Sequence, residues 1–166
     1  MRLFVSHVFP CSPEAYVAML QDPAFDELVA RTSGVGRTVL SESVVDGCVH
    51  RRVHCVPDRP LPAMVQSLIG SDKLRYDQVT VLDPARHRLT WRILPEKVGS
   101  RVEIHGEMEL RPHPQGCERV VTGTVEVNVR LVGGQIEKGI VADVERSYNK
   151  SYETVRDYLL SRAAGR

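Results

Sequence analysis

The chain has 166 residues, of which 42% are hydrophobic, and its 22 Lys and Arg residues nearly balance its 21 Asp and Glu residues. This length and apolar content are enough for a core of its own, so we expect a single domain over residues 1–166. The charges are spread along the chain with almost no net excess, which argues against a nucleic-acid partner.

No segment has the pattern of a secretion signal or of a membrane span. The first ten residues are interrupted by Ser6 and His7, and no apolar run approaches the length that a bilayer requires. We therefore expect a cytoplasmic protein without permanent membrane insertion. The four cysteines form no C-x-x-C pair and are interpreted as reduced, packed side chains. Nothing in the sequence indicates an oligomeric state.

The N-terminal part predicts a strand over residues 2–9, followed by two short helices. Ser12 precedes Pro13 in the order typical of an N-cap and a first helical position, and Asp22 precedes Pro23 in the same way. The second helix should end before Gly34.

Residues 36–131 are almost entirely strand in pattern. The predicted strands are 36–45, 48–56, 73–82, 88–94, 101–111 and 118–131, and one short helix is predicted at 61–70. The turns between most of these strands are short, which favours an antiparallel sheet. The segment 61–70 contains Pro62 and ends at Gly70, and we expect it to act as a mobile lid.

The last 30 or so residues have helical spacing. One apolar stripe contains Ile136, Ile140, Val144, Tyr148, Ser151, Val155 and Leu159. Gly133 and Gly134 precede this helix, but the Lys and Ser or Thr of a phosphate-binding loop do not follow them, so we interpret them as a corner. Seven strands and one long helix covering them predict an α+β fold.

Alternation along each strand separates a row that we expect to be buried from a solvent-facing row. The buried row includes Trp91, Ile104, Met108 and Val125. In residues 73–82 it contains Tyr76 and Gln78, because the opposite row begins with charged residues.

Arg51 falls in the more apolar row of residues 48–56 and is therefore predicted to face inward. A buried guanidinium needs a partner. Three interpretations remain open: a structural ion pair, a strand register shifted by one residue, or an anchor for an acidic or carbonyl group of a ligand.

No local motif predicts a catalytic, metal or cofactor site. His50 and His54 are four strand positions apart, roughly 13 Å, which is too far for one metal ion. Glu103, Glu107 and Glu109 alternate with apolar residues and are interpreted as a solvent-facing row rather than as acid–base catalysts. No catalytic residue, metal or cofactor is therefore predicted.

Two motifs carry a resemblance to a known group of proteins. They are VPDRPLPAMVQSLIG (56–70) and VRLVGGQIEKGI (129–140). Together with the order of elements, they make nearly the whole chain resemble the SRPBCC superfamily of polyketide cyclases and StAR-related (START) lipid-transfer domains, and within it an uncharacterised bacterial family. The resemblance implies a helix-grip fold, in which a curved antiparallel seven-stranded sheet wraps around the C-terminal helix and encloses a cavity for an apolar molecule.

From this resemblance we expect binding or transport of a small hydrophobic ligand, such as a lipid, fatty acid, isoprenoid or polyketide. The alternatives are an aromatase/cyclase- or dehydratase-type enzyme using the same cavity, and a protein-binding regulatory module. The small residues Ser147 and Ser151 are predicted to leave space opposite the sheet, unless large residues from the strands fill it. The predicted ligand-binding residues are Arg51, Tyr76, Gln78, Trp91, Ile104, Met108, Val125, Ile140, Val144, Ser147, Tyr148 and Ser151.

Overall fold

A computed structural model describes residues 1–165. The strands are β1 (Arg2–Phe9), β2 (Val35–Val45), β3 (Cys48–Pro57), β4 (Tyr76–Asp83), β5 (Arg88–Pro95), β6 (Val102–His113) and β7 (Gly116–Val127). The helices are α1 (Pro13–Leu20), α2 (Pro23–Thr32), α3 (Ala63–Ile69) and α4 (Gly133–Ala164), with a 3-10 turn at Gly99–Arg101.

The seven strands form one antiparallel sheet in the order β1-β7-β6-β5-β4-β3-β2. The 32-residue helix α4 packs mainly against β7 and β1, at one side of this sheet. The predicted α+β helix-grip architecture, including the two short helices after β1, is confirmed.

The starts of α1 and α2 form as their sequences predict. The Ser12 hydroxyl accepts a hydrogen bond from the Ala15 amide at 3.1 Å, and an Asp22 carboxylate oxygen accepts one from the Ala24 amide at 3.0 Å. Each side chain satisfies a backbone donor that the first helical turn leaves without a partner.

The sheet has an inner face, on which α4 packs, and an outer face. On the inner face, cross-strand pairing aligns apolar side chains along lines that run across the strands. One such line contains Val5, Val121, Met108, Leu89, Leu82 and Val49. This register places the predicted buried rows of β3 to β7 on the inner face, including Tyr76 and Gln78 of β4.

Two predicted strand boundaries are wrong by three or more residues, and the others differ by at most two. β7 ends at Val127 rather than at residue 131, and β4 begins at Tyr76 rather than at residue 73. The chain turns after Val127, where Leu131 has a φ of 73° and is 98% exposed. The apolar residues of 128–132 therefore belong to a reversal that leads into α4, although their alternation continues that of the strand.

Within residues 1–165, none of the helices combines the length and the apolar character needed to cross a bilayer.

Candidate functional site

The apolar stripe of α4 is buried at both ends and only half-buried in the middle. Its buried residues are Ile136, Val141, Val155 and Leu159, and its half-buried residues are Ile140, Val144, Tyr148 and Ser151. Because α4 packs mainly on β7 and β1, the inner face of β2 to β5 beside it is incompletely covered. We call this space, between the middle of α4 and the inner face of β3 to β5, the inner groove.

The prediction that Ser147 lies opposite the sheet is wrong, because its side chain is exposed. At 100° per residue it lies about 60° from the centre of the stripe, on the flank of the helix. Ser151 is half-buried, and its hydroxyl donates to the Tyr148 carbonyl at 3.0 Å. Of the two serines, Ser151 is therefore the small residue that the helix presents toward the inner groove.

Trp91 lies on the inner face over two glycines of neighbouring strands. A Cβ atom on Gly106 would approach its Cζ2 atom to 2.5 Å, and one on Gly123 would approach its Cη2 atom to 2.8 Å. The glycines thus make room for the indole ring. Its Nε1 atom is buried and has no hydrogen-bond partner within residues 1–165. A buried donor of this kind is costly unless a water or ligand satisfies it.

Arg51 faces inward as predicted, and the structure gives it carboxylate partners. Two of its nitrogens contact the two oxygens of Asp26 on α2, at 2.8 and 2.5 Å. Its Nε atom lies 3.2 Å from a Glu42 oxygen, but without the alignment of a hydrogen bond. The structural ion pair, one of the three interpretations, is the one observed. A role in anchoring a ligand stays a prediction, since a ligand would have to displace Asp26.

A second inward arginine, Arg37 of β2, was not among the predicted site residues. It is half-buried, and one of its nitrogens lies 3.4 Å from the Gln78 amide oxygen and 4.0 Å from the Cys55 sulfur. Tyr76 pairs with Cys55 on the next strand. Burial raises the pKa of Tyr76 to about 12 and also raises the pKa of Cys55. At neutral pH the Tyr76 hydroxyl is therefore a neutral donor.

A third arginine, Arg119 of β7, is 2% exposed and was also missed. It donates to the Tyr16 hydroxyl and to His7 Nδ1, both at 2.9 Å, and lies about 5 Å from the ring centres of Phe9 and Tyr148. Within the described residues it forms no ion pair with a carboxylate. Hydrogen bonds and cation–π contacts hold this cation between the sheet and α4.

Of the two missed arginines, only Arg119 carries a clear sequence signal. Arg119 has the same strand parity as Val121 and Val125, so extending that row toward the start of β7 places it inside. Arg37 alternates with Val35 and Val39, but the pattern of β2 is broken by a bulge between Val39 and Ser41. The bulge shifts the inner row from odd to even positions. Alternation over the whole strand therefore does not identify Arg37 as an inward-facing residue.

The outer face carries a separate trough of about 750 Å³. Phe4, Val79 and Val81 line it together with Arg92 and His105. This is a more distinct concavity than the open inner groove. We nevertheless place the candidate site on the inner face, because the half-buried apolar stripe of α4 is found there. Trp91 does not distinguish the two faces, since it packs over the inner-face glycines and also lines the outer trough.

The curved sheet and the long helix that packs on it define a helix-grip fold. The chain belongs to the protein family of unknown function DUF2505, whose model matches residues 5–159.

Solved structures with the same fold have little sequence identity to the chain. TTHA0849 from Thermus thermophilus has a TM-score of 0.69 at 16% identity, covering 98% of this chain and 99% of that one. The Zhui aromatase/cyclase from Streptomyces sp. R1128 has a TM-score of 0.67 at 16% identity, with 98% and 95% coverage. Ara h 8.0201 has a TM-score of 0.63 at 13% identity, with 97% and 98% coverage. No curated protein matches the chain at a significant level.

Proposed function

We propose that the domain binds a small hydrophobic molecule, such as a lipid, fatty acid, isoprenoid or polyketide, in the inner groove. The observation that carries this proposal is the half-buried middle of the α4 stripe. Ile140, Val144 and Tyr148 are half-buried, and so is Ile93 on the inner face of the sheet. Because these side chains are already half-buried, covering the rest of one contributes about half of the value for a fully exposed side chain, roughly 1 kcal/mol, and a ligand that covers several of them sums these contributions.

The polar groups of the groove support binding more than catalysis. Tyr76 is protonated at neutral pH, as any tyrosine is, and burial raises its pKa further, to about 12; burial raises the pKa of the Cys55 thiol as well. Arg37 supplies a positive charge beside them. The set therefore offers hydrogen-bond donors without a base that could remove a proton from a substrate. The fold shared with an aromatase/cyclase leaves an enzyme of that kind as the alternative.

The test uses a neutral apolar probe, N-phenyl-1-naphthylamine, whose fluorescence rises on transfer into an apolar site. Ser151→Leu should fill part of the inner groove and weaken probe binding by about tenfold, the effect of losing roughly 1.4 kcal/mol. Ser161→Leu is the matched control. Ser161 lies on the same helix and its hydroxyl donates to the Tyr158 carbonyl, as that of Ser151 does to Tyr148, but Ser161 is exposed.

Equal binding by both variants and the wild type would place the probe elsewhere, and the outer trough would then become the first alternative. Absence of probe binding by the wild type would refute the proposed function itself.

A further inference from the structure

The inner face carries two half-buried arginines on neighbouring strands with different surroundings. Arg51 of β3 contacts the carboxylates of Asp26 and Glu42. Arg37 of β2 contacts an amide oxygen and a thiol, and no carboxylate within residues 1–165 lies within 4.0 Å of its guanidinium. A partly desolvated guanidinium favours an anionic partner, and here the protein leaves that position open.

The neighbours of Arg37 add neutral donors. The Gln78 side-chain oxygen accepts from Arg37, which leaves its NH₂ group available to donate. The Tyr76 hydroxyl is protonated at neutral pH, and burial raises its pKa further, to about 12. Two carboxylates near this end of the groove are engaged by other cations: Asp77 faces outward and binds Arg52 and His54, and Asp143 of α4 lies 3.8 Å from Arg59.

One cation with two neutral donors matches the charge and the two oxygens of a carboxylate. A phosphate group, with up to two negative charges, favours a second cation, and Arg59, whose charge acts on Tyr76, lies 3.8 Å from the Asp143 carboxylate. The set also lies at the end of the groove next to α3, while Trp91, Val144 and Tyr148 lie farther along it. A ligand held by its acidic head at Arg37 would extend its apolar part toward the middle of α4.

We propose that the inner groove takes an amphipathic carboxylic acid, with the Arg37 guanidinium, the Tyr76 hydroxyl and the Gln78 amide binding its carboxylate. This inference rests on the proposed function and names the class of ligand for the same groove.

The experiment compares dodecanoic acid with 1-dodecanol as competitors of N-phenyl-1-naphthylamine. The wild type should bind the acid more tightly than the alcohol. Arg37→Met should weaken binding of the acid by about 10- to 100-fold, as expected for the loss of a charged hydrogen bond, and leave the alcohol unchanged. Arg92→Met is the matched control and should not change the preference, because Arg92 is an exposed arginine that lines the outer trough. Arg51→Met is measured in parallel, because Arg51 is the competing anchor on the inner face.

Several results would overturn the inference, and each is distinct from failure of the proposed function. Equal binding of acid and alcohol by the wild type, or equal losses of both in Arg37→Met, would remove the carboxylate anchor while the groove remained. A selective loss in Arg51→Met alone would assign the anchor to Arg51. If Arg37→Met does not fold, Arg37→Gln keeps a polar side chain and should show the same selective loss. A wild type that fails to bind the neutral probe would instead refute the proposed function.

Discussion

The start of α4 allows one substitution to be tested at two positions with opposite expected results. A Cβ atom on Gly133 would lie 2.2 Å from the Val127 carbonyl oxygen, a backbone atom. The Val127 amide is fixed by a 2.8 Å hydrogen bond to Glu137, and the Gly133 amide by a 2.9 Å bond to the Val129 carbonyl. Six residues later, a Cβ on Gly139 would have nothing within 4 Å.

The magnitudes follow from these surroundings. Gly139→Ala should stabilise the protein by about 0.5–1 kcal/mol, because alanine loses less backbone freedom than glycine in a helix. For a chain of this size that corresponds to a rise of about 1–4 °C in Tm. Gly133→Ala should destabilise the protein by about 1–3 kcal/mol, because the start of α4 has to move away from β7 to relieve the contact between the new Cβ atom and the Val127 carbonyl oxygen.

Thermal and denaturant unfolding followed by circular dichroism would measure both effects. Gly134→Ala is the control, because Gly134 is also in the first turn but a Cβ there meets nothing within 4 Å. Destabilisation by Gly134→Ala as large as that by Gly133→Ala would refute the close approach as the reason for the glycine corner.

A hinge at Gly139, a flexible point in the first turns of α4, would let the helix move away from the sheet to release a ligand. Gly139→Ala should then slow ligand release in stopped-flow experiments with little change in affinity. A destabilised Gly139→Ala would refute this hinge.

Two further predictions concern pH and the lid. Burial and the nearby positive charge of Arg119 lower the pKa of His7 from its ordinary value of 6.5. The His7 imidazole is therefore protonated more readily in the unfolded chain than in the folded protein, so the free energy of unfolding should fall as the pH drops below about 6.5. His7→Gln should flatten the dependence of the denaturant midpoint on pH in that range, and an unchanged dependence would assign the effect to other groups. Separately, α3 has no side-chain N-cap and ends at Gly70 with a φ of 64°, so its amides should exchange with deuterium faster than those of β7 in the ligand-free protein. Equal protection of α3 and β7 would exclude a lid at this position.

The sequence predicted the parts of the fold that depend on local patterns. Ser12 and Asp22 cap their helices as expected, and the inner row of β4 was assigned correctly because alternation continues through Tyr76 and Gln78. The end of β7 was predicted too late, since apolar residues continue through the turn before Gly133. That boundary depends on where the chain can reverse, which alternation does not report.

The candidate site was only partly accessible from the sequence. The inward direction of Arg51 followed from strand parity, but its partners Asp26 and Glu42 depend on how α2 and β2 pack. Arg37 was hidden by the bulge of β2, and the exposure of Ser147 depends on which strands α4 covers. The ligand-binding roles of the predicted residues, including Ile104, Met108 and Val125, stay predictions.

The pairing of β1 with β7 has a consequence for the order of folding. His7 and Arg119, which contact each other across these strands, are 112 positions apart in the chain. β1 lies at the sheet edge next to β7, so it has to wait for nearly the whole chain before it can pair. Contacts between such distant residues require the closure of a long loop and slow folding. During synthesis, we therefore expect the meander from β2 to β6 to form first, and the first strand to join the sheet among the last.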